Sequence, residues 1–84
     1  MKLVNIGFGN VIPEEKIIAI VTPDTAPIKR LVQSYRESEH IIDATQGRKT
    51  KSVIILMGDF LALSYLQPET IASKIEKRYD GGEK

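Results

Sequence analysis

The sequence predicts one small α+β domain in the order ββαβββα, a mostly antiparallel or mixed sheet packed by two helices. Three observations predict it. Short β-branched and apolar runs recur between glycine and proline punctuation. One segment, Ile28 to Tyr35, carries a helical period of apolar residues. A second helical segment opens at Pro68-Glu69, after the last strand-like run.

Lys2 to Ile6 reads as the first strand, and Gly7-Phe8-Gly9-Asn10 as a turn in unusual backbone regions. Lys16 to Thr22 is the second strand, set off by Pro13 and Pro23. The first helix starts near Asp24 or Thr25, either of which can cap it, with Pro27 tolerated in the first turn. Ile28, Leu31, Val32 and Tyr35 form its apolar face, and it ends between Ser38 and His40. Ile41 to Thr45 and Ser52 to Met57 are the third and fourth strands, and the connection from Gln46 to Lys51 suits a hairpin loop. Gly58-Asp59 makes another turn before the fifth strand, Phe60 to Leu66. The second helix buries Ile71, Ala72, Ile75 and Tyr79. The domain is expected over residues 1–79, with a disordered tail at 80–84.

A chain of 84 residues without cysteine has neither disulfides nor thiolate metal sites to steady a small core, so partners are the remaining device. Val53 to Met57 and Phe60 to Leu63 are apolar on both strand faces, which two short helices can hardly cover. Some of that surface is therefore expected to meet another copy of the chain. No apolar run reaches the roughly 18–20 residues of a membrane span, and the start Met1-Lys2-Leu3 lacks a signal-peptide pattern, so a cytoplasmic protein is expected.

Net charge is only +1, from 12 Lys+Arg against 11 Asp+Glu, so any nucleic-acid site must come from distribution. Arg48, Lys49 and Lys51 cluster beside Gly47 and Thr50 in a stretch free of acids. A protruding turn with flexible charged stems and accessible N–H groups is what phosphate binding needs. By composition alone an ordinary solvated turn accounts for it at least as well. Lys29 and Arg30 sit in the first turns of a helix, against its dipole, and fit a solvated face. Lys16, next to Glu14 and Glu15, carries even less local signal. His40 is the lone histidine and makes no metal site without partners. Asp43 and Asp59 have no partner at a catalytic spacing, and no cofactor or small-molecule substrate is expected.

Asn5-Ile6-Gly7-Phe8-Gly9-Asn10, Ala26-Pro27-Ile28-Lys29-Arg30, Ile42-Asp43-Ala44-Thr45-x-Gly47-Arg48 and Gln67-Pro68-Glu69-Thr70, in this order and spacing, resemble the RemA family of bacterial extracellular-matrix regulators. The resemblance runs from Lys2 to about Ile75. It implies a non-enzymatic, nucleoid-associated transcriptional activator of matrix or osmoprotection genes, forming a ring-shaped homo-oligomer that bends or wraps double-stranded DNA along a basic rim. By the match of motifs, the family's DNA-contacting arginines fall on Lys16, Arg48 and Lys49, with a further basic residue at Lys51. Only Arg48 keeps arginine, and position 46, often tyrosine in the pattern, is Gln46. Lysine neutralises a phosphate but does not make arginine's planar bidentate contact. One subunit with about three phosphate contacts has a salt slope near −2.7, which is weak binding. Repetition around an oligomer adds roughly 10²–10⁴ in avidity. An oligomeric scaffold that binds no nucleic acid is the competing expectation. RNA binding is a third, for which the chain offers few stacking rings.

Overall fold

Alternating burial organises the first strand, β1 (Leu3–Gly7), in which Val4 and Ile6 point inward and Leu3 and Asn5 outward. In this computed structural model, which describes residues 2–83 and side chains as far as Ile75, β1 pairs antiparallel with β2 (Asn10–Pro13). Phe8 (φ 53°) and Gly9 (φ 78°) form the two-residue loop between them, both with the positive φ that such tight hairpins demand. Sequence reasoning placed a turn here but missed β2, whose four residues carry a proline and little alternation. A short 3₁₀ turn, Glu14–Lys16, leads into β3 (Ile17–Val21).

Helix α1 (Ala26–Glu37) has Pro27 in its first turn. Thr25 is its N-cap by backbone geometry, but its side chain makes no capping bond, contrary to expectation. Ile28, Leu31, Val32 and Tyr35 face the core as their spacing requires. The helix closes where His40 N–H donates to Tyr35 O at 2.9 Å, with Glu39 at φ 64°. Then come β4 (Ile41–Asp43), β5 (Ser52–Leu56), β6 (Phe60–Ser64) and helix α2 (Pro68–Glu83). Lys84 and the side chains beyond Ile75, Tyr79 included, lie outside the described residues, and the tail expected at 80–84 falls in this end.

Among the described residues there are six strands in two sheets: β1-β2, and a mixed sheet in the order β3-β5-β6-β4. The chain is thus the expected α+β domain with one more strand and a second small sheet. The expected hairpin between the third and fourth predicted strands does not form. β4 runs parallel to β6 at the sheet edge (Ile42↔Ala62), while β6 pairs antiparallel with β5 (Ser52↔Ser64). The segment from Ala44 to Lys51 therefore crosses over the carboxyl end of β6. Local sequence could not reveal this, because a short glycine-containing loop suits both connections.

The central strands are apolar on two faces, and most of both faces is covered within the chain, Met57 and Phe60 beside the β5-β6 turn excepted. Ile54, Leu56 and Ala62 meet the β1-β2 hairpin and Ile71 of α2 in one cluster. Val53, Leu61 and Leu63 meet α1 in the other. The unforeseen hairpin supplies most of the cover that was expected from a second subunit, and Met57 and Phe60 are the part of the runs 53–57 and 60–63 still open. Large apolar side chains remain exposed outside those runs too, among them Leu3, Val11 and Ile18.

Candidate nucleic-acid interface

The crossover loop begins with a side-chain turn. Asp43 Oδ1 accepts from the Thr45 hydroxyl at 2.6 Å and from the Thr45 N–H at 2.9 Å. These bonds, the hydroxyl's first, hold the Asp43 carboxyl below its ordinary value of 3.8, with a smaller pull from Arg36, against the opposing effect of burial. Arg48 N–H then donates to Thr45 O at 3.0 Å. Gln46 (φ 51°) and Gly47 (φ 83°) occupy the centre of that tight turn. The loop rejoins the sheet where Lys51 N–H donates to Ser64 O at 2.9 Å.

This geometry puts Arg48, Lys49 and Lys51 together, exposed, around a shallow pocket of about 250 Å³ with Tyr65 at its side. A neighbouring hollow of about 190 Å³ is shared by Lys49, Lys51 and Asp24. The Asp24 carboxylate weakens anion attraction on that side. Lys29 reaches the same region from α1, lining a pocket of about 230 Å³ with Arg36 and Thr50. Arg30 is exposed on α1 and lines none of these three hollows.

Lys16 stands apart. Its carbonyl accepts from Met57 N–H at 2.8 Å, at the far end of β5 from the crossover loop. Strand rise puts the two roughly 17–20 Å apart within one protomer. The structure therefore gathers Arg48, Lys49 and Lys51 into one surface, sets Lys29 beside it, and leaves Lys16 at the opposite end.

Sequence reasoning missed the aromatic side of this site. The Phe8 and Tyr65 rings pair with centroids 4.8 Å apart. The Arg48 guanidinium carbon lies 5.8 Å from the Phe8 centroid and 5.4 Å from that of Tyr65. These residues are far apart in sequence: the crossover of the loop above β6 brings Arg48 to Tyr65, and the packing of the β1-β2 hairpin brings Phe8. The chain does hold a small ring pair, where few stacking rings were expected.

Among the described residues no group of three His, Cys, Asp or Glu side chains could hold a metal ion, and no helix is long and apolar enough to cross a membrane.

Comparison with known proteins agrees with the motifs. A protein of Shouchella clausii, named "Putative regulatory protein", is 48% identical over 83 residues, covering 99% of this chain and 95% of its own. A relative of the same designation from Geobacillus kaustophilus is 52% identical over 75 residues, covering 89% and 86%. One from Dictyoglomus thermophilum is 51% identical over 84 residues, covering 100% and 94%. The sequence model described as "Extracellular matrix regulatory protein A-like" matches residues 3–75, and the chain belongs to this RemA-like family.

Proposed function

We propose that the protein is a non-enzymatic, cytoplasmic transcriptional regulator that binds double-stranded DNA as a homo-oligomer, with the Gln46–Lys51 crossover loop as its grip. The observation that carries this reading is the convergence of Arg48, Lys49 and Lys51 on one exposed loop. Membership of a family whose relatives are named regulatory supports it. Flexible cations around a concave surface suit phosphates, and Lys29 extends that surface. Lys16 reaches the same DNA only along the length of a protomer or from a neighbouring one, which favours a ring or similar head-to-tail assembly. Specificity then comes from DNA bendability and from the spacing of the repeated loops. The regulated genes, by resemblance, are of the matrix or osmoprotection type.

Fluorescence anisotropy with a labelled duplex over a salt series tests the assignment. Arg48→Ala with Lys49→Ala is expected to weaken binding and to flatten the salt dependence by about 1.8 per engaged subunit. Unchanged affinity and slope would show that the loop is not the grip. An assembly that never shifts with DNA in native mass spectrometry would favour a scaffold instead.

A further inference from the structure

We infer that Phe8 and Tyr65 are positioning residues whose paired rings form a seat for the Arg48 guanidinium, aligning it at the DNA-facing surface. This rests on the DNA reading above, and it explains three features that packing alone leaves open.

The first is Phe8. The two-residue hairpin loop sets φ 53° at Phe8, a value that Gly, Asn or Asp meets with less strain, so the loop gives no reason for a ring there. Phe8 gains little burial in return: 44% of it is exposed, and it belongs to neither core cluster. What it does contact is Tyr65, with Arg48 close over the ring.

The second is the room made for Tyr65. A Cβ on Gly7 would lie 2.6 Å from Tyr65 Cε1, so the glycine is what lets the ring lie there. The backbone on both sides is pinned by one buried hydroxyl. Ser64 Oγ donates to Ile6 O at 2.7 Å and accepts from Leu66 N–H at 3.0 Å. Ile6 leads into Gly7-Phe8, and Ser64 and Leu66 flank Tyr65. The two rings thus come from separate sheets held in fixed relation.

The third is the arginine itself. It is the one arginine among the three cations of the loop. A planar, weakly hydrated guanidinium stacks on aromatic faces, while its edge keeps N–H donors in a rigid fork. Stacked on the seat, Arg48 presents that fork to phosphate or to a base edge with less freedom to lose on binding. Lys49 and Lys51, with no ring contact among the described residues, act as point charges.

The test measures duplex affinity of the full chain by anisotropy for Tyr65→Leu, Tyr65→Phe and Phe8→Leu, each in the native and Arg48→Ala backgrounds. Leucine keeps apolar bulk and removes the ring. Tyr65→Leu and Phe8→Leu are expected to weaken binding by roughly 3- to 30-fold in the native background, with the salt slope retained. Tyr65→Phe restores native affinity, and in the Arg48→Ala background neither leucine variant has a further effect. Equal losses in both backgrounds would overturn the inference, since the rings would then act without Arg48. Preferential binding of single-stranded RNA with such equal losses would identify them as a base-stacking platform and overturn it equally. Loss on Arg48→Ala but none on Tyr65→Leu would sink the seat and leave the DNA reading standing. Should Arg48→Ala itself have no effect, Arg48 is not a DNA contact and the double variant with Lys49→Ala decides the DNA reading, while NMR of the free protein decides the seat alone. Ring-current-shifted Arg48 side-chain signals that move to random-coil values in Tyr65→Leu support it; signals already unshifted in the native chain refute it.

Discussion

The hydroxyl of Ser64 donates to the carbonyl oxygen of Ile6 at 2.7 Å, tying the mixed sheet to the β1-β2 hairpin between residues 58 positions apart. Ser64 is wholly buried, and its oxygen also receives the Leu66 N–H. Ser64→Ala leaves both backbone groups short of a partner in a place water does not reach. The expected cost is about 1–3 kcal/mol, read as a lower urea midpoint at unchanged slope. A loss below about 0.5 kcal/mol would mean that the backbone finds other partners.

Gly7 and Gly47 offer a comparison of strain with and without a steric neighbour. Both have positive φ, 118° and 83°, and would be strained by a side chain. A Cβ at Gly47 meets open space, while one at Gly7 runs into Tyr65. Gly47→Ala is expected to cost about 1–2 kcal/mol from backbone strain alone. Gly7→Ala is expected to cost more and to displace Tyr65, so thermal melts should rank it clearly below Gly47→Ala. Equal melting temperatures would show that the Tyr65 ring moves aside without penalty.

Much of the fold was legible because it is written locally. The spacing of Ile28, Leu31, Val32 and Tyr35 gave α1 its core face, and Gly58-Asp59 gave the β5-β6 turn. The loop cations were legible as a cluster, though only the resemblance favoured them over a solvated turn. Connectivity was not legible. Whether β4 pairs with β5 or lets β6 lie between is decided by long-range burial, to which a six-residue loop gives no clue. That choice hid the site's other half, since Tyr65 meets Arg48 only because the loop crosses the end of β6. Ser52 and Ser64 were equally silent, being polar residues inside apolar strands whose partners lie on distant backbone.

Asp43 makes the start of the crossover loop sensitive to acid. Its carboxyl is held below 3.8, chiefly by the Thr45 hydroxyl and then by the Thr45 N–H. The folded state therefore favours the charged form more than the unfolded state does. That contribution is complete above the unfolded value and is lost as pH falls through the lowered one. Native-state hydrogen exchange at Thr45 and Arg48 should accelerate, relative to an unfolded-peptide reference, as pH is lowered below about 3.8. Asp43→Asn keeps an acceptor oxygen, so it is expected to retain the turn and lose this pH dependence; Asp43→Ala should loosen the turn at every pH. An Asp43→Ala loop as protected as the native one would show that Gln46-Gly47 hold the turn unaided.

Assembly is the last expectation, and β3 is where it can be challenged. This strand is an edge of the mixed sheet, with an irregular register between Ile17 and Ala19. Ile18, at that irregularity, is 62% exposed, and it lies two positions from Lys16. An exposed apolar side chain on an open edge is what soluble monomers usually avoid. A second copy seated on this edge would cover Ile18 and bring that copy's cations towards Lys16, uniting basic residues that one protomer keeps about 17–20 Å apart. Ile18→Asn places a polar group in such a contact and leaves the charge beside Lys16 unchanged. Native mass spectrometry should then show smaller species, and DNA affinity should fall by roughly 10²–10⁴ through lost avidity. A variant that becomes monomeric yet binds DNA as tightly would show that one loop is sufficient. A variant that assembles normally would move the interface away from β3, and Val11 of the hairpin and Met57 of the β5-β6 turn, the two most exposed of the other large apolar side chains, would be challenged next.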